Sequence, residues 1–157
     1  KTNQMPGDGL SFCIVRNPWD RMVSAYHYSQ NTIKKRISII ESGQAPKNNK
    51  KWKKHVQENI LDGLKDFNTW IQNKSWTYLV NRPQVEYAIG VNHIIRYEKL
   101  SKDFERIQNI LECKTELPLN NTTEHSHYSK YYNAKSIDIV YDFFERDIKH
   151  FKWNYNE

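Results

Sequence analysis

"FCIVRNPWDRMVSAYHY", residues Phe12 to Tyr28, decides how the rest of the chain is read. Leu10 to Val15 is a short apolar run following Pro-Gly-Asp-Gly, the pattern of a strand buried on both faces. Pro18 suits the first position of a helix, where its missing N–H costs nothing. Asn17 then serves as N-cap, and Asp20, three residues on, favours the positive end of the helix. Met22, Val23 and Tyr26 form its inward face, and the helical pattern fades through Ile33 to Ile40. The stretch is therefore a strand turning sharply into a helix.

The side chains at that turn carry chemistry. In an open parallel sheet, ligands bind at the carboxyl ends of the strands, where Arg16 falls. Positions 17, 20, 21 and 24 share one face at helical spacing. Arg16, Arg21 and Ser24 can thus converge beside a helix N-terminus. A guanidinium offers bidentate donors, a hydroxyl adds a third, and the helix end adds partial positive charge, which together suit a phosphate. The same residues also admit a plainer reading, with Arg16 in a strand-end ion pair and Ser24 as a small packing residue.

Outward from this unit, Glu41 to His55 is a polar, Lys-rich connection. Ile60, Leu64, Phe67, Trp70 and Ile71 recur at three- and four-residue spacing and predict a second helix. Asn81-Arg82-Pro83 breaks that pattern. Val91 to Glu98, "VNHIIRYE", reads as another short buried strand, followed by a helix with Phe104, Ile107, Ile110 and Leu111 inward. Pro118 to Lys130 is a loop, and Ser136 to Phe151 is a final helix carrying Ile137, Val140, Phe144 and Ile148. Strands alternating with helices predict an α/β layered fold, a short parallel sheet flanked by helices.

The 157 residues suit one domain with a core of its own. Hydrophobic content of 38% and charged content of 27% place the chain among globular proteins, and no run approaches the ~18 apolar residues of a membrane span. Two cysteines, Cys13 and Cys113, make neither a disulfide framework nor a zinc site, and no metal cluster is apparent. The net charge of +6 suits a solvated basic face or an anionic partner. A basic nucleic-acid-binding protein would share that charge, but no nucleic-acid motif is present.

"FCIVRNPWDRMVSAY" resembles the 3′-phosphate-binding segment of sulfotransferases that use 3′-phosphoadenosine-5′-phosphosulfate (PAPS). It is most similar to the carbohydrate-directed group that includes the chondroitin and heparan sulfotransferases and their bacterial relatives. "HIIRYEKLSKDFERI" resembles that family's later strand and helix start, while "LPLNNTTEHSHYSKYYN" and "IVYDFFERDIKHFKW" resemble its closing loop, Tyr-Tyr pair and last helix. The motifs run in order along almost the whole chain. The resemblance implies a P-loop-type sulfotransferase fold, with residues 1–157 as a single sulfotransferase-like domain. It implies PAPS as sulfate donor, with no metal, and a carbohydrate acceptor that could be an anionic polysaccharide. Arg16 and Ser24 match the residues that contact the nucleotide's 3′-phosphate. Arg21 joins them, and Tyr128 and Lys130 are candidates to cover the nucleotide.

The family's loop for the 5′-phosphosulfate normally lies upstream of Arg-Asn-Pro. Lys1-Thr2 and Gly7 to Gly9 do not reproduce it. The chain is accordingly expected to be a C-terminal portion of a sulfotransferase, N-terminally incomplete, or else a noncatalytic homologue that holds a nucleotide or anionic glycan. A parallel sheet lacking its central strand would leave open edges, so a homo-oligomer is expected. No catalytic base is assigned among His27, His55, His93, His125 and His127, and Lys47 to Lys54 with Trp52 could bind an acceptor or be a solvated loop. Glu98 is read as capping a helix end or pairing with Arg96, and Asp147, Phe151 and Trp153 as packing and helix-terminus residues. A bacterial relative would be cytoplasmic and an animal one Golgi-lumenal.

Overall fold

The structure is a computed structural model and describes residues 9–44, 65–74, 76, 79–117 and 125–156. Lys1-Thr2, Lys47 to Lys54, His55, Ile60, Leu64 and residues 118–124 of the loop from Pro118 lie outside the described residues.

Strand β1 (Phe12–Val15) pairs in parallel with β2 (His93–Arg96), in a register running from Phe12 opposite His93 to Val15 opposite Arg96. Among the described residues these two strands make up the sheet. The double-sided burial expected for β1 is met only at its end. Val15 is fully buried, whereas Phe12 and Ile14 are 43% and 44% exposed. Phe12 and Ile14 alternate with Cys13 and Val15 and so lie on the opposite face of the strand, which is the less covered one among the described residues.

Helix α1 (Pro18–Glu41) begins as its sequence dictates. Pro18 occupies the first turn, and the Asn17 side chain accepts a hydrogen bond from the Trp19 N–H at 3.0 Å. Trp19, Met22, Val23 and Ile33 are its buried apolar face. The helix continues past the point where the apolar pattern fades, and Ile39 and Ile40 are exposed. Its last turns rest on backbone bonding and good helix formers rather than packing. It ends at Ser42 and Gly43, whose φ of 71° suits a residue without Cβ.

Helix α2 (Phe67–Gln72) is capped by Asp66, whose carboxylate accepts from the N–H groups of Asn68 and Thr69. Helix α3 (Val85–Ala88) is a single turn before β2. After β2 a 3₁₀ turn (Tyr97–Lys99) leads into α4 (Leu100–Ile110). A second 3₁₀ turn (Tyr128–Lys130) precedes α5 (Ala134–Phe151), whose cap is Asn133. Helix α5 kinks at Phe144 and closes on Lys152, a left-handed residue at φ 56°.

Two apolar clusters hold these elements. The larger joins Trp19, Met22 and Val23 of α1 to Phe67, Trp70 and Ile71 of α2, to Trp76, and to Val140, Phe144 and Ile148 of α5. Trp76 and Phe143 meet edge to face with centroids 4.6 Å apart, a preferred aromatic geometry. The smaller cluster packs Val15 of β1 against Val85, Ala88, Phe151 and Trp153. The fold is thus α/β, a short parallel sheet flanked by helices, with the strands' carboxyl ends facing the start of α1.

Phe144 is fully buried where α1, α2 and α5 meet. Phe144→Ala is expected to lower unfolding free energy by about 3–5 kcal/mol, measured by urea denaturation. Tyr141→Ala, at a 38% exposed position on the same helix, is expected to change it by no more than ~0.5 kcal/mol.

Candidate anion-binding site

The turn between β1 and α1 lays Arg16, Arg21 and Ser24 along one cavity of about 390 Å³, completed by Ala25, Tyr28, Leu79 and Val80. Among the described residues, no acidic side chain lines it. The two arginines are held differently. Arg16 donates through Nε to Asp20 Oδ2 at 2.6 Å, with both side chains largely shielded from water. Its guanidinium carbon lies 4.1 Å from the centroid of the Tyr97 ring, a cation–π distance. This pairing fixes the plane of the guanidinium while, among the described residues, it uses the Nε donor and leaves those of the terminal nitrogens.

Arg21 is set deeper. Its guanidinium sits 5.7 Å from the Phe144 ring centroid, and Nη1 donates to the Arg82 carbonyl at 3.4 Å. Burial lowers its pKa from the usual arginine value, while Tyr87 and Asp147 oppose that shift. Desolvation of this kind makes a fixed cation attractive to an anion, because little water has to be displaced. Ser24 adds a hydroxyl on the same helical face.

A second cavity, of about 320 Å³, lies at the carboxyl ends of both strands and includes Asn17, Asp20, Arg96, Glu98 and Tyr128. Tyr128 is buried and donates its hydroxyl to the Tyr155 carbonyl at 2.8 Å. The structure therefore places Arg16, Arg21 and Ser24 together and Tyr128 in the neighbouring cavity. Lys130 is exposed and lines neither. Glu98, read from sequence as capping a helix end or pairing with Arg96, accepts from the Asn17 N–H at 2.5 Å. Arg96 instead donates to the Phe151 carbonyl and lies 5.6 Å from the Trp153 ring centroid.

Two of the candidate histidines come together elsewhere. His27 and His125 stack at 5.2 Å with rings 7° from parallel, and His27 Nε2 lies 3.0 Å from the Tyr131 hydroxyl. Neither histidine lines either cavity. Gln84 and Asp147 were not legible as site residues. Gln84 follows Asn-Arg-Pro with no periodic signal, and Asp147 reads as a packing and helix-terminus residue. Among the described residues, no group of His, Cys, Asp and Glu side chains could hold a metal ion, and no helix is long and apolar enough to cross a membrane.

A short parallel sheet with a strand-end arginine opening onto a capped helix is an α/β arrangement. The model of the Sulfotransferase family matches residues 2–156, and the chain belongs to that family. No curated protein and no solved structure matches it.

Burial, followed by the charges of His125 and Lys34, lowers the His27 pKa from 6.5. The unfolded chain therefore takes up this proton at higher pH than the folded one. Stability is full above pH 6.5 and is lost as pH falls through the folded value. His27→Gln is expected to flatten the fall in melting temperature between pH 7 and pH 5, measured by circular dichroism; an unchanged slope refutes the assignment.

Proposed function

We propose that this chain binds the 3′-phosphate of PAPS and takes part in transfer of its sulfuryl group to a hydroxyl of a carbohydrate acceptor. The observation that carries this reading is the cavity lined by two arginines and a serine, with no acidic wall among the described residues, beside the start of α1. A dianionic phosphate needs several charge-assisted donors in a site already partly desolvated, and this donor set fits that need. Arg16 and Ser24 would hold the phosphate, with Arg21 supplying charge from beneath. Tyr128 and Lys130 are proposed to lie along the rest of the nucleotide. When bound, PAPS supplies the activated sulfuryl group.

Family membership supports a transferase, and the order of motifs from Arg16 to Trp153 supports reading residues 1–157 as one sulfotransferase-like domain. The alternative is a noncatalytic homologue that keeps the nucleotide site without turnover. The exposed Phe12 and Ile14 on β1 support self-association as well.

Isothermal titration calorimetry with adenosine 3′,5′-bisphosphate tests the nucleotide reading. Arg16→Ala and Ser24→Ala are each expected to weaken binding by about tenfold or more, the scale of a lost hydrogen bond to a charged group. No binding by the unmodified chain overturns the reading. Sulfate transfer from PAPS to a glycan mixture separates the enzyme from the noncatalytic homologue. Light scattering after size exclusion is expected to report a dimer, and a clean monomer would count against self-association.

A further inference from the structure

We propose that Gln84 and Asp147 are positioning residues for the arginines of the anion site and set its preference for a 3′-phosphorylated nucleotide. The inference rests on the nucleotide reading above and adds to it the part of the fold that holds Arg16 in place.

Gln84 is 1% exposed. Its Oε1 accepts from the Arg16 N–H, and its Nε2 donates to the Arg16 carbonyl, both at 2.8 Å. A side-chain amide here takes the role of a neighbouring strand. The His93 N–H donates to the Ser11 carbonyl, so by strand alternation the odd-numbered residues of β1 bond toward β2. The backbone groups of Arg16 face the other edge, where no described strand lies, and Gln84 meets them there. Bonding both peptide groups around one Cα fixes the direction in which its side chain leaves the backbone.

Asp147 anchors the clamp. It is fully buried on α5, and its two carboxylate oxygens accept from the N–H groups of Gln84, at 2.7 Å, and Val85, at 2.9 Å. The same carboxylate is one of the charges acting on Arg21. One buried group on the last helix therefore references both arginines, Arg16 through Gln84 and Arg21 through space. Hydrogen bonding alone would require only that these buried groups be satisfied. Here, however, both amide bonds of Gln84 are made to one residue, and that residue is at the mouth of the site.

The test compares adenosine 3′,5′-bisphosphate with adenosine 5′-monophosphate on the full chain by calorimetry, with melting temperature recorded for each variant. In Gln84→Met and Asp147→Asn the preference for the bisphosphate is expected to fall by about tenfold, while affinity for the monophosphate stays within about twofold. Asp147→Asn is the sharper case. Removing a negative charge near Arg21 would by itself strengthen anion binding, whereas loss of positioning weakens it. Equal losses for both nucleotides, or an unchanged preference in a folded variant, overturn the proposal. Should Gln84→Met fail to fold, Gln84→Glu, which keeps the acceptor and loses the donor, carries the same comparison. An unmodified chain with no preference for the bisphosphate refutes the nucleotide reading itself, a distinguishable failure.

Discussion

Asn17 has one amide side chain and one peptide on either side, and four parts of the chain meet on them. Its side-chain oxygen caps α1 at the Trp19 N–H, and its carbonyl accepts the Arg21 N–H at 2.8 Å. Its backbone N–H goes to Glu98, just beyond β2. Its Nδ2 reaches the Tyr128 hydroxyl and the Asn154 carbonyl at 3.5 and 3.4 Å. Asn17 is 2% exposed, so each of these groups would cost about 1–3 kcal/mol if left without a partner. The sheet, the first helix, the Tyr128 turn and the C-terminal segment are thus located by one residue, which also lines the cavity shared with Tyr128.

The parts of this arrangement that depend on neighbours in sequence could be read from the sequence. The Asn17 cap, the Pro18 start, the face shared by Arg21 and Ser24, and the apolar stripe of Val140, Phe144 and Ile148 are all local consequences of helix geometry. What could not be read is non-local. Gln84 clamps a residue 68 positions away, and Asp147 holds a turn 63 positions away. Glu98 turns to Asn17, 81 residues distant, because a helix start offers unpaired N–H groups. Tyr128 and Lys130 look equivalent in sequence. A 3₁₀ turn, however, rotates each residue by about a third of a circle, so one is buried and the other exposed.

The same contrast explains the strand. An apolar run is compatible with burial on two faces, but burial is set by which elements pack on each face, which no local pattern encodes. Val15 is covered because α3 and the end of α5 pack on it, while Phe12 and Ile14 have no such cover among the described residues. The end of β1 that leads into the candidate site is therefore its well-packed end, where Arg16 emerges.

The pairing of β1 with β2 also has a consequence for how the protein forms. Ser11 and Asn92 bond across a sequence separation of 81 residues. Closing a loop of that length costs chain entropy before any sheet contact repays it, and contacts of high sequence separation are the slow ones in folding. Helices α1 and α5 can begin from local information, but the geometry of Arg16 cannot. The proposed anion site is thus assembled only once distant segments of the chain have met, and its integrity reports on completion of the fold.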